Sequence, residues 1–371
     1  MTKEKKQNTP LVDCLTKYAR AKNLRMHMPC HVGRLGFLPS AEKIDITELG
    51  FNDNLNSPNG VIAQSQKLYA KLFGAEEALF LTNGSSQGNL AFLSLLSGKK
   101  VLVQKNSHVS VLRGAKLFDV QLILQDTITW QSVEQAVEKE KIAGVLVQYP
   151  DYFGRTVDLP KIYEVAQRRG VTLFVDGAHG AHFGLSEFLP EHPVGYCDAC
   201  VVSTHKTLGA YTQTAVVLTR DANLAKRIKK SVNLLSSTSP SYILLASIDY
   251  ARDFAERYGK KKLDELYGEI KYFCKTLPTG VRYLESEDFC KLCLDFSAIG
   301  ASGKTAFEYL SDKGIYAELY DGKKVLFYLG LFTTKKDLDK LKKAIKSFAK
   351  LSFDQIQQEE QSGPFEYGED V

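Results

Sequence analysis

The feature that most constrains this chain is a rhythm between residues 44 and 219. Short apolar runs at 78–82, 101–103, 120–124, 144–147, 171–175, 201–204 and 215–218 end in polar or glycine-containing turns, and segments of helical period separate several of them. Residues 132–141 put Val133, Ala136 and Val137 on one face. Residues 159–169 follow Asp158 as N-cap, carry Pro160 near the first turn, and stop at Gly170. A run that is apolar on both faces must be covered on both, and alternation with helices is how parallel strands achieve this. The expected fold class is therefore α/β, a mostly parallel central sheet with helices on both faces.

Beyond Tyr242 the pattern changes. A helical stretch carries Leu244, Leu245, Ile248, Ala251 and Ala255. Strand-like runs follow at 291–296 and 325–329, and 334–350 reads as an amphipathic helix with Leu338, Leu341, Ile345 and Phe348 on one face. This predicts a smaller α+β domain. The expected division is an N-terminal arm over 1–43, with a short helical pattern at Leu11, Leu15, Tyr18 and Ala19. A large domain over 44–245, a small domain over 246–350 and a tail over 351–371 complete it. The tail holds six acids and no Lys or Arg, so it is expected to be disordered and to lie near the lysine-rich 335–350 helix.

Charge weighs against some classes. A net +5 over 371 residues makes a nucleic-acid binder a weak reading, since such a chain usually shows a steeper or more localised basic bias. No apolar stretch approaches the roughly 18 residues of a membrane span, and the Lys-rich start has no leader-like apolar core. Seven cysteines in a chain this long fit a reduced, cytoplasmic protein. Two Cys-x-x-Cys pairs, Cys197/Cys200 and Cys290/Cys293, have zinc-ligand residue types. On a strand, however, positions three apart face opposite ways, so structural thiols and no metal are expected.

Four segments carry chemistry. Ser203-Thr204-His205-Lys206 follows a buried run. A lysine at the carboxyl end of a parallel strand sits where ligands bind, and burial turns its amine into a nucleophile. It can equally point into water. Asp176-Gly177-Ala178-His179-Gly180-Ala181-His182 ends another run. Its acid can pair with a pyridinium nitrogen, while its Asp and two His also have metal-ligand types. Asn83-Gly84-Ser85-Ser86 opens a helix whose first N–H groups suit a phosphate, or is a plain N-cap. Asn106-Ser107-His108 offers an imidazole to stack on a ring, or a surface residue. Each is weak alone. In order, on successive strands, they describe a pyridoxal phosphate site.

The sequence resembles the ornithine/lysine/arginine decarboxylase family, fold-type I pyridoxal phosphate enzymes. The resemblance rests on Asp45-Ile46-Thr47-Glu48-Leu49, residues 75–89, 106–111, 176–184 and 203–213, and Ser237-Thr238-Ser239-Pro240-Ser241-Tyr242. It implies that Lys206 binds the cofactor covalently, that Asp176 pairs with the pyridine nitrogen, and that His108 stacks on one ring face and Ala178 on the other. His179 then lies near the ring hydroxyl. Gly84, Ser85, Ser86, Ser203 and His205 hold the phosphate, and Thr238 and Ser239 reach the phosphate of a neighbouring subunit in a homodimer. Catalytic roles fall to Lys206, His205 and His108.

Departures lie nearer the substrate. The family's Met-Pro-Gly-His-Lys-Gly is Met28-Pro29-Cys30-His31-Val32-Gly33 here, its His-Lys-Ser is His108-Val109-Ser110, and its Pro-Thr-Tyr-Tyr-Gly is Pro150-Asp151-Tyr152-Phe153-Gly154. Typical members also continue into a further C-terminal domain, so a short form lacking it is expected. The implied reaction is α-decarboxylation of lysine, ornithine or arginine to the amine and carbon dioxide. Asp151, Glu318 and Asp53 are the candidate partners for the distal cation. No Arg lies in the final 89 residues, and a bidentate carboxylate clamp would oppose carboxylate loss. The competing expectations are another pyridoxal phosphate reaction (lyase, racemase or aminotransferase) and a non-catalytic cofactor-binding homologue.

Overall fold

The computed structural model describes residues 23–27, 30–31, 34, 45–48 and 53–351. Most of the expected arm, its helical pattern at Leu11–Ala19, and the acidic tail beyond residue 351 lie outside the described residues.

All seven apolar runs of the large domain are strands: β2 (Glu77–Leu81), β3 (Lys100–Gln104), β4 (Gln121–Gln125), β5 (Gly144–Gln148), β6 (Thr172–Asp176), β7 (Ala199–Val202) and β8 (Ala215–Thr219). They form one sheet of order β2-β8-β7-β6-β5-β3-β4, in which only β8 runs antiparallel to its neighbours. The expected helices flank it, among them Trp130–Glu140 and Leu159–Arg168. The latter is capped by the Asp158 side chain accepting from Lys161 N–H, with proline in its first turn. Helix Gly84–Ser94 presses hardest on the sheet. A Cβ at Gly88 would stand 2.5 Å from Val201 Cγ2, so only glycine allows this approach. Phe92 of that helix stacks on Phe174 of β6 at 4.5 Å, a contact worth about 1 kcal/mol beyond its buried area.

The small domain is an antiparallel sheet of order β12-β13-β10-β9, built from β9 (Arg282–Leu284), β10 (Lys291–Asp295), β12 (Leu319–Asp321) and β13 (Lys324–Tyr328). β1 (Leu24–Met26) pairs in parallel with β11 (Ile315–Ala317), tying the start of the described chain to this domain. Helices Gly303–Asp312 and Lys335–Phe348 cover it. Leu338, Leu341, Ile345 and Phe348 are all buried.

One uninterrupted 34-residue helix, Tyr242–Lys275, joins the two sheets. The division expected at 245/246 falls in its first turn. Gly154, at φ +86, lets the loop after β5 meet the small domain: a Cβ there would stand within 3 Å of Ser286, Lys291 and Asp288. No helix of the described residues is long and apolar enough to cross a membrane.

Candidate active site

In a parallel sheet the carboxyl ends of the strands open onto one crevice. Here β2, β3, β5, β6 and β7 all end beside a cavity of about 380 Å³, lined among others by Ser85, His108, Tyr152, Asp176, His179 and Lys206. The four chemical segments of the sequence are thus brought together.

Lys206 follows β7 in a single helical turn, Thr204–Thr207, and is 9% exposed. Burial pulls its amine from 10.5 down to about 8, with Asp176 and Glu318 opposing and Lys291 adding to the shift. Its Nζ lies 2.9 Å from His179 Nε2 and 5.6 Å over the Tyr152 ring. Asp176, the last residue of β6, accepts from Asn89 Nδ2 (2.8 Å) and from Ala178 N–H (3.1 Å). Asn89 also donates to Ser110 Oγ, which sits 2.8 Å from His108 Nδ1. His108 caps helix Val109–Leu117 by accepting Ser110 N–H at the same Nδ1. Its pKa is lowered, by burial first.

His179 is buried and its pKa lies well below 6.5, through desolvation and then the charges of Lys206, Lys291, His108 and His205. Its Nδ1 is 2.9 Å from Tyr328 Oη, and that hydroxyl donates to the Tyr152 carbonyl at 3.2 Å. Tyr152 packs on the His179 ring at 4.4 Å, and burial raises its phenol to about 12. His205 donates from Nδ1 to the Thr214 carbonyl. Burial holds it neutral, with a pKa of about 4.

The residues fit pyridoxal phosphate. No side chain caps helix Gly84–Ser94; the Gly84 N–H donates to the Gln213 carbonyl, and Ser85 in the first turn lines the cavity, where the following N–H groups suit an anion. Ser203 Oγ is fully buried and has no hydrogen-bond partner among the described residues. An orphaned hydroxyl near a helix start suits an arriving phosphate.

Two expectations about acids are corrected. Asp151 accepts from Phe153 and Arg155 N–H groups and pairs with the Arg155 guanidinium. It is a turn residue. Asp53 accepts from the N–H groups of Asn54, Asn59, Gly60, Ile62 and Ala63. Burial alone would raise its pKa, but these bonds bring it to about 2; it organises a loop and the start of helix Val61–Phe73. Glu318, by contrast, acts electrostatically on Lys206, Tyr152, Tyr328 and Cys30. Thr238 and Ser239 are exposed and are not among the residues that line this cavity.

Asp176, His179 and His182, whose types also suit a metal, have different partners here. His182 Nε2 bonds Asp288 Oδ1 at 2.9 Å, both fully buried. His182, Asp288 and Cys290 bring metal-ligand atoms within 4.8 Å of one another, a grouping that sequence spacing did not suggest. The His182–Asp288 bond already ties two of these groups, and the positive charge of Lys291 acts on Asp288. Cys290 and Cys293 face different apolar clusters, as strand geometry requires. Cys197 and Cys200 are buried. Sequence reasoning missed Asn89, Ser110, Tyr328, Lys291 and Asp288.

A mostly parallel sheet whose strand ends present a buried lysine, a carboxylate and stacking groups around a phosphate cup defines a fold-type I pyridoxal phosphate enzyme. The family profile of the Orn/Lys/Arg decarboxylase major domain matches residues 9–286. The chain belongs to the Orn/Lys/Arg decarboxylase family, and its cofactor is pyridoxal phosphate. It is 29% identical to an arginine decarboxylase of Halalkalibacterium halodurans, over 94% of this chain and 78% of that protein. It is 32% identical to the protein YaaO of Bacillus subtilis, over 87% and 74%. Lysine decarboxylase A from Pseudomonas aeruginosa has the same fold, with a TM-score of 0.72 at 18% identity. The match covers 91% of this chain and 59% of that one, so the chain spans about three-fifths of the length of that enzyme.

Proposed function

We propose that this chain catalyses α-decarboxylation of a basic amino acid, with Glu318 receiving the distal cation. The observation that carries the reading is the buried Lys206 at the end of β7, which shares one cavity with Asp176, His108 and His179 in a chain of the Orn/Lys/Arg decarboxylase family. Glu318 is chosen among the three acids because its charge acts on Lys206 and Tyr152.

Bound pyridoxal phosphate supplies the electron sink for the pair released when the Cα–carboxylate bond breaks. The chain supplies the rest. Lys206, with a pKa near 8, has an appreciable uncharged fraction at neutral pH and is the amine that binds the cofactor. Asp176, fixed by Asn89 and Ala178 N–H, would keep a proton on the pyridine nitrogen. His108 and Ala178 would pack against the ring. Gly84, Ser85, Ser86 and Ser203 would hold the phosphate, and His205, which burial keeps neutral, would take up a proton beside that dianion. Tyr152 narrows the cavity and excludes water above His179. His205 or Lys206 returns the proton to Cα.

The site is completed in a homodimer, in which Thr238 and Ser239 reach the partner's phosphate. Their exposure supports this, as does Leu234 beside them, which is 81% exposed at the end of helix Ala222–Leu234.

The test is carbon dioxide and amine release from arginine, lysine, ornithine and neutral amino acids by the purified protein. Release from at least one basic substrate is expected. Turnover of none of them, or a product other than the amine, overturns the reading. Glu318→Gln should raise KM for the basic substrate about tenfold or more, the cost of one charge-assisted contact, and leave cofactor absorbance in place.

A further inference from the structure

The small domain contributes a side chain to the cofactor site through His179. Four groups stand in line: Lys206 Nζ, His179 Nε2 at 2.9 Å, His179 Nδ1 with Tyr328 Oη at 2.9 Å, and the Tyr152 carbonyl 3.2 Å beyond. The carbonyl at the far end can only accept, and the Tyr328 hydroxyl donates to it. With its single proton used there, the oxygen accepts from His179 and the ring proton belongs on Nδ1; the opposite tautomer requires the hydroxyl to turn its proton to Nδ1 and leave the carbonyl without it. The ring is neutral, being buried among Lys206, Lys291, His108 and His205, so Nε2 is left with a bare lone pair facing Lys206.

What holds Tyr328 is the register of the small sheet. Lys291 and Tyr328 are direct partners across β10 and β13. Lys291 Nζ lies 3.3 Å from the Tyr328 ring centroid and has no hydrogen-bond partner among the described residues. The ring is its contact, a cation–π pair in a desolvated place. Both residues are buried, and Tyr328 cannot leave without stranding a cation.

We propose that Tyr328 is a positioning residue that sets the tautomer of His179, holding the proton on Nδ1 and turning the lone pair of Nε2 toward Lys206. The inference does not depend on which amino acid is the substrate. It assigns a role to a residue 149 positions from its partner, and the phenol touches neither substrate nor the reacting lysine. Its effect on Lys206 is indirect: a bare Nε2 supports the ammonium form. The other groups that bear on Lys206 are Asp176 at the end of β6, His108 at its helix start, His205 beside it, Tyr152 in the loop after β5, Lys291 on β10 and Glu318 after β11. Of these only Tyr152 loses a contact when the Tyr328 hydroxyl is removed, and it loses it at the backbone carbonyl.

The experiment is nitrogen-15 NMR of the histidine-labelled full-length chain before cofactor addition, in wild type and in Tyr328→Phe. The pH dependence of pyridoxal phosphate capture, followed by absorbance, is read alongside it. Wild type should show His179 protonated on Nδ1 and bare at Nε2. In Tyr328→Phe the Nδ1 proton loses its acceptor in a buried place, so the ring should move to the Nε2–H tautomer. The capture profile should then shift down by about one pH unit, the loss of one hydrogen bond to a charged group. A wild-type ring protonated on Nε2, or a variant with unchanged tautomer and unchanged profile, overturns the proposal. The wild-type measurement stands alone even if the variant does not fold.

Discussion

His108 and His179 both line the cavity, yet they are held in opposite ways. His108 has its Nδ1 occupied as an acceptor by Ser110, two residues away, within the cap of one helix. The proton of its neutral ring therefore sits on Nε2. His179 has Nδ1 toward Tyr328, on another domain, and its neighbours are cations rather than a helix start. One wall of the site is built from local turns at strand ends, and the other from the docking of two sheets. The local wall is insured by short-range hydrogen bonds. The docked wall is only as accurate as the contact between domains, where His182–Asp288, Tyr328–Tyr152 and Gly154 against Lys291 meet.

The two walls share Lys206, and its loss should have the largest effect. Lys206→Ala should abolish the cofactor's covalent absorbance band and all measurable turnover. A persisting band would move the cofactor to another amine and dissolve the comparison. Next comes the docked wall. Asp288→Ala leaves His182 Nε2 buried without its partner, and leaving a buried polar group unpaired costs about 1–3 kcal/mol, readable as a lower denaturant midpoint. The same pair carries a pH signature. Burial by itself raises the pKa of Asp288, but His182 and Lys291 bring it below 3.8. Its contribution is therefore present above the ordinary carboxylate pKa and lost as pH falls through the lower folded value. Asp288→Asn should flatten acid unfolding in that window; an unchanged acid limb would assign the seam's stability elsewhere. The smallest effect belongs to the local wall. Ser110→Ala removes one bond to His108 and the acceptor of Asn89 but leaves the Ser110 N–H cap. A loss of about 1–2 kcal/mol, seen as a several-fold weaker cofactor Kd with little change in unfolding midpoint, is expected. A global loss of stability would mean that the local wall also depends on docking.

The same contrast separates what could be read in the sequence from what could not. Strands β2 to β8 lie within a residue or two of their apolar runs, because a strand buried on both faces leaves a contiguous signature. That Lys206, Asp176, His108 and Ser85 meet at one cavity was legible because each ends or follows such a run. Asp53 and Asp151 were misjudged for a chemical reason: the short carboxylate that suits a cationic substrate also suits turns and helix starts. The Asn-Gly at 59–60 after Asp53 was the available signal. Asn89 could have been suspected as a polar residue on the buried face of helix Gly84–Ser94. Tyr328, Lys291 and Asp288 had no such signal. Their partners lie far along the chain or across an antiparallel register, and a lysine inside an apolar strand reads locally as a solvent-facing position. In the structure it is fully buried.

The continuous helix Tyr242–Lys275 begins directly after the Ser237–Ser241 loop, whose first three residues are exposed, and ends beside the small sheet. At 1.5 Å per residue its 34 residues form a rod of about 50 Å. Such a rod is a lever arm. A tilt of roughly one degree at the Ser241 end carries the Lys275 end through about 1 Å, a displacement that costs catalytic groups a large factor in rate. Straightness of this one element therefore sets the tolerance to which Glu318 and Tyr328 are held, and whatever grips its first turn trims the far wall of the site.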